Sequence, residues 1–307
     1  YLIDKGFAEL EHLSRVRLSS LETIIRFSRR IPLASYVGSI LLLTAMFTGI
    51  LMTRTHTGAL TGWSLALVTL IGILGTSHLA VGLVNWMSTI LVKPYPLPRM
   101  DFSRGIPPEF RTLVAVPSML FTEKNVLNLL EAIEVRFLAN RDENLRFALL
   151  TDFRDAKNET MPDDDRLVNL VHQGIEALNE KYRNAQEDIF FLFHRPRRFN
   201  PRENIWMGYE RKRGKLADLN AYLRGRTHGP SGDFFSRIVG DTSVLRNIRY
   251  VITLDSDTKL PRDAAWQLVG TMAHPLNQAH YDERLKRVSE GYGILQPRVS
   301  VSLPDIS

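Results

Sequence analysis

The sequence predicts an α/β fold: a mainly parallel sheet with flanking helices, preceded by a transmembrane helical hairpin. Three observations carry the prediction. Two long stretches before residue 93 hold no charge, strand and helix patterns alternate after residue 110, and two of the predicted strands end in aspartate. The 307 residues are 44 % hydrophobic and 23 % charged with net charge +6, ordinary for a folded chain and incompatible with wholesale disorder. The absence of cysteine excludes a disulfide scaffold, a thiolate zinc site and a cysteine nucleophile. The mean hydropathy of −0.11 hides how unevenly the apolar residues are placed.

Residues 1–32 read as a polar, cytoplasmic N-terminal segment. The chain begins with Tyr1 and reaches its first apolar run only after this segment, so it reads as a piece of a longer chain and not as one led by a signal peptide. Residues 33–92 read as the hairpin. Leu33 to Met52 would span roughly 30 Å as a helix, about one bilayer core. After a short polar link, Ala59 to Val92 is again uncharged, and a second span is expected over about 60–81, with the remainder tilted or interfacial. Trp63 and Trp86 suit headgroup depth. A buried hairpin in a soluble protein is the competing reading, disfavoured by the uncharged length, and His78 is expected to pack between the helices. Lys5, Arg15, Arg17, Arg26, Arg29 and Arg30 precede the first span, Lys93, Arg99, Arg104 and Arg111 follow the second, and Arg54 alone lies between. Both ends therefore face the cytoplasm. The basic excess is read as topology; no finger or stacking motif supports a nucleic-acid partner.

Residues 93–110, with prolines at 94, 96 and 98, form a stiff linker to a body over 111–307. Strands are expected at 112–117, 146–151, 189–193, 250–254 and 293–299, and helices at 123–138, 163–184 and from Gly214 to Leu223. Ligands in such sheets sit at the carboxyl ends of the strands, where Asp152 and Asp255 fall.

The sharpest local feature is Leu254-Asp255-Ser256-Asp257. A strand delivering two carboxylates to its exit can hold a hard divalent cation, Mg²⁺ or Mn²⁺, through oxygen, with positions left for phosphate and water. Asp163-Asp164-Asp165 matches the same pattern but sits at a helix start, where acids favour the dipole. The basic run Arg211-Lys-Arg-Gly214-Lys215 leads into a helix and suits either a phosphate-rich ligand or a solvated or lipid-facing surface. No P-loop and no complete dinucleotide fingerprint is present, and Phe190, Phe191 and Phe193 read as core strand.

Val114-Ala-Val-Pro117, strand-end Asp152, Gly214-Lys215 with Asn220, Leu254-Asp-Ser-Asp257 and Gln296-Pro-Arg298 together resemble a membrane-bound, family 2-like glycosyltransferase of GT-A (Rossmann-like) fold. The fuller wording of Ala115-Val-Pro-Ser-Met-Leu120, Leu149-Leu-Thr-Asp-Phe-Arg-Asp-Ala156, Ile252-Thr-Leu-Asp-Ser-Asp-Thr258 and Gly293-Ile-Leu-Gln-Pro-Arg-Val299 is similar to the cyclic β-1,2-glucan synthases, glycosyltransferase family 84. That resemblance implies UDP-glucose as donor, a growing β-1,2-glucan as acceptor, inversion at the anomeric carbon, a multi-pass place in a bacterial-type inner membrane and a cytoplasmic transferase domain. It implies that Pro117 shapes the floor of the uridine pocket, Asp152 contacts uracil or ribose, Lys215 and Asn220 lie near the nucleotide, Asp255 faces ribose or metal, and Asp257 ligates the metal. Glu123 fits the pattern less well, lying six residues past Pro117.

An inverting transferase also needs a base, and Asp263, Asp282, Glu283, Glu290 and Asp305 stand in no recognisable acceptor motif. No catalytic base is therefore named. The chain is expected to be the donor-binding half of the domain, inactive apart from the remaining domains of the full-length chain. A cellulose- or curdlan-type hexosyltransferase is the near alternative, and a non-catalytic membrane scaffold the distant one.

Overall fold

The computed structural model describes residues 31–55, 62–91, 96–182, 187–226, 228–229 and 232–298. The expected N-terminal segment up to Arg30, most of the inter-helix link, Lys93 to Tyr95 and Val299 onward lie outside them. The chain divides into two compact units, Tyr1–Pro96 and Leu97–Ser307.

The first unit contains helices α1 (Pro32–Thr55) and α2 (Trp63–Leu91), each long and apolar enough to cross a membrane. The second helix is one continuous element of 29 residues, roughly 43 Å, running past residue 81, where the second span was expected to end, to Leu91. No proline interrupts 63–91, and Gly72, Gly75 and Gly82 are tolerated within it. A polar seam joins the helices: Thr48 Oγ1 and Thr76 Oγ1 are 2.7 Å apart, and the Tyr36 hydroxyl donates to Asn85 at 2.9 Å. Leu42 and Leu74 stand exposed on the outside. His78 is exposed too, which corrects the expectation that it packs between the helices.

The second unit is built on a five-stranded sheet of order β8-β3-β2-β1-β9. Its strands are β1 (Thr112–Leu120), β2 (Leu145–Phe153), β3 (Phe190–His194), β8 (Arg237–Val239) and β9 (Tyr250–Thr253). Four are parallel; β8 runs antiparallel along β3. Between them lie α3 (Glu123–Ala139), α4 (Asp164–Tyr182), the hairpin β4 (Arg198–Asn200) and β5 (Ile205–Met207), α5 (Arg211–Leu223) and the short pair β6 (His228–Gly229) and β7 (Gly232–Asp233). Helix α6 (Ala264–Ala273) and a hairpin of β10 (His280–Asp282) and β11 (Arg287–Glu290) follow.

Two differences from the sequence reading stand out. The strand expected at 293–299 is not formed over the described residues 293–298, and the fifth place in the sheet is taken by β8, too short to show a period. The segment expected to be all linker contributes to the core, because Phe102 and Ile106 are buried with the sheet's inner residues.

Apolar residues in β1, β2 and β3 face both ways, as buried parallel strands require. One face packs Val114, Phe147 and Phe190 against α3, α4 and α6, and the other packs Leu113, Leu150 and Phe193 against α5 and Phe235. Gly174 lets α4 close on α3, since a Cβ there would lie 2.2 Å from Leu130. Asn179 ties α4 to β3, donating to the Phe190 carbonyl at 2.8 Å and accepting from the Ile189 and Phe190 amides at 3.0 and 2.8 Å. Asp164 opens α4 and is held by Arg197, one oxygen at 3.1 Å, so the acidic triplet serves the helix start.

His194, at the end of β3, is buried with Nδ1 2.9 Å from the Thr151 hydroxyl and the Phe153 ring edge-on at 4.4 Å. Burial pushes its pKa from 6.5 down to about 3, with Asp164 opposing and Arg197, Lys215 and Arg237 adding to the fall. Below pH 6.5 the unfolded chain takes up a proton that the folded chain refuses until about pH 3. This residue therefore removes stability as pH falls through that window, by up to about 1.4 kcal/mol per pH unit. His194→Gln is expected to flatten the stability–pH profile between pH 4 and 6 in urea unfolding; parallel profiles for the two proteins would contradict it.

Candidate functional site

Side chains alternate between the faces of a strand, so position in the alternation decides which strand-end groups can meet. Leu113 and Ala115 of β1, Ala148 and Leu150 of β2 and Val251 of β9 all face α5. By the same alternation Pro117, Asp152 and Asp255 belong to the α5 face, at the carboxyl end of three adjacent strands. Pro117 costs the sheet nothing there. Strand β9 has ended at Thr253, opposite Ala115, and the Leu254 amide makes the last bond to the Ala115 carbonyl at 3.1 Å.

Helix α5 completes the arrangement from above. Lys215 is 3 % exposed; its ammonium donates to Asp152 Oδ1 at 2.7 Å and to the Ser118 carbonyl. Asp152 is itself 1 % exposed, and its second oxygen accepts from Arg195 at 3.3 Å. Arg195 also donates to Asp218 at 2.8 Å and to the Tyr209 carbonyl at 3.0 Å. Burial pulls the Lys215 pKa below its ordinary value, opposed by the charge of Asp152 and its hydrogen bond. One turn earlier on the same helix, Lys212 pairs with Asp255, both side chains about half exposed. The first turn of α5 thus engages both strand-end aspartates, Asp152 below the surface and Asp255 at it.

The turn into α5 is tight. Gly208 lies so close to Asp152 that a Cβ would sit 2.1 Å from Oδ2, and Glu210 and Arg211 adopt left-handed backbone angles of 52° and 45°. Asp257 is exposed, and the Thr258 amide closes a turn on the Asp255 carbonyl at 3.0 Å. No three His, Asp or Glu side chains converge into a metal cage among the described residues. The oxygens of Asp255 and Asp257 are nevertheless the donor type a hard cation takes when phosphate and water fill its other positions.

Of the residues singled out in the sequence, Pro117, Asp152, Lys215 and Asp255 share one face of the rim. Asn220 does not join them: it is exposed and five positions past Lys215, about 140° around α5. Asp218, three positions on, shares the buried face instead. Arg195 and Lys212 were missed as site residues. Lys212 sits inside the basic run, and its i, i+3 spacing to Lys215 was the available signal; Arg195, in a loop after β3, gave none.

No family model matches this chain. It is 36 % identical over 303 residues to cyclic β-(1,2)-glucan synthase NdvB of Rhizobium meliloti (strain 1021). This chain is homologous to a segment of a cyclic β-(1,2)-glucan synthase. The match covers 99 % of the chain, and the chain spans about a tenth of that relative's length. Similarity to the glucan synthase therefore extends over the apolar helices as well as the sheet.

Because the rim leaves no room beside Asp152, Gly208→Ala is expected to destabilise the chain by about 1–3 kcal/mol, read by urea unfolding. An unchanged midpoint would mean that the turn does not press on this carboxylate.

Proposed function

We propose that residues from Leu97 onward form the donor-binding half of a GT-A-type glycosyltransferase that takes glucose from UDP-glucose and adds it, with inversion, to a growing β-1,2-glucan. We propose further that α1 and α2 cross a bacterial-type inner membrane, with the transferase on the cytoplasmic side. The observation that carries the reading is that one turn of α5 holds two strand-end aspartates through Lys212 and Lys215, in a chain homologous along its length to a glucan synthase.

In this reading Pro117, Asp152 and Lys215 make the floor beneath the uridine, and Asp255, Asp257 and Lys212 meet the diphosphate. Lys212 is suited to exchange its half-exposed carboxylate partner for a phosphate, because exposed ion pairs contribute only about 0–1 kcal/mol. Asp257 and Asp255 would hold Mg²⁺ or Mn²⁺, which when bound offsets the charge of the departing diphosphate. The acceptor's 2-hydroxyl attacks the glucosyl carbon as the bond to UDP breaks; its proton needs a base that this chain does not identify. The glucan acceptor and the remaining domains of a longer chain are its expected partners.

Heat unfolding of the detergent-solubilised chain tests donor binding. UDP with Mn²⁺ is expected to raise the midpoint, and Asp257→Ala to abolish that rise while leaving the ligand-free midpoint nearly unchanged. No rise with the unsubstituted chain would favour the scaffold alternative.

A further inference from the structure

We infer that Arg136 is a positioning residue that fixes the Asp255–Asp257 turn for a cation shared with a diphosphate, a role that rests on the donor-binding reading. Arg136 lies in the last turn of α3 and is 5 % exposed. Its Nη2 donates to the carbonyls of Ser256 at 2.7 Å, Thr258 at 2.9 Å and Asp255 at 3.3 Å, and its Nε reaches Thr258 at 3.2 Å. A single guanidinium therefore gathers the inward-facing carbonyls of the acidic turn. Asp255 pairs outward with Lys212 and Asp257 stays exposed. The Arg136 Nη1 is buried and has no hydrogen-bond partner among the described residues. The charge of Asp257 in turn favours the ionised guanidinium against the cost of burial.

The arrangement has the logic of an outer-shell partner: it touches neither ligand nor cation, yet decides where the coordinating oxygens stand. Asn140, one turn on, continues the contact with the next stretch. It donates to the Pro261 carbonyl at 3.1 Å and accepts from the Ala265 amide at 3.0 Å, but does not reach the acidic turn. It is therefore the natural control for loss of structure alone. A lysine at 136 keeps a charge but lacks the planar fork that serves several carbonyls at once.

The test is Mn²⁺ binding to the full chain in detergent at saturating UDP, read by electron paramagnetic resonance of free Mn²⁺ well below the unfolding midpoint. Arg136→Lys is expected to weaken UDP-dependent Mn²⁺ affinity by roughly tenfold or more. Asn140→Ala is expected to leave it within about twofold despite a lower unfolding midpoint. Arg136→Gln, which keeps amide donors, serves as the second variant should the lysine variant not fold. Unchanged Mn²⁺ affinity in a folded Arg136 variant would overturn the positioning role alone. Absence of UDP-dependent Mn²⁺ binding in the unsubstituted chain would overturn the donor-binding reading and this inference with it.

Discussion

A carboxylate sealed from water must be matched by positive charge and hydrogen bonds, and Asp152 is such a carboxylate. Lys215 takes one oxygen and Arg195 the other. Through these two cations, strand β2 is joined to helix α5, to the loop after β3, and to the carbonyl of Tyr209 in the turn that opens the helix. The position of α5 over the sheet follows from this network. So does the requirement for glycine at 208, and so does the reach of Lys212, one turn from Lys215, to Asp255.

The rim carries two kinds of charge pair with different consequences. The Asp152 network is buried, and breaking one partner of such a network costs about 3–5 kcal/mol because the other is left without compensation. The Lys212–Asp255 pair is about half exposed, so water screens it and little is lost when a ligand separates the partners. A stable floor under an exchangeable surface is what a site needs if it is to bind a charged ligand and release it without unfolding. Arg136 adds a third case, a buried cation bonded to backbone carbonyls, which shapes the turn between the two aspartates without occupying either.

The strands with long apolar runs and the helices with clear periodicity were legible in the sequence. Residues 123–139 and 164–182 fall within two residues of their expected ends, because the burial that forms them is written in local spacing. Strand β1 continues three residues past Pro117, since proline is a barrier only where a neighbouring strand needs its amide. Strand β8 and the hairpin of β10 and β11 were not legible, being three or four residues long and held by pairing partners distant in sequence or by a turn. In the site, Asp152, Lys215 and Asp255 could be picked out because each belongs to a motif at an element's end. Arg195 and Arg136 could not. An arginine in a loop or on a helix reads as solvated until the fold buries it against partners some 43 and 120 residues away.

The central claim is that the Asp152–Lys215 pair holds α5 on the sheet. A double-mutant cycle measures it directly, using the unfolding free energies of the unsubstituted chain, Asp152→Asn, Lys215→Met and the combined variant in urea. A coupling energy of about 2–3 kcal/mol between the two positions is predicted. Additivity within about 0.5 kcal/mol would contradict it, and would leave the placement of α5 without its stated cause.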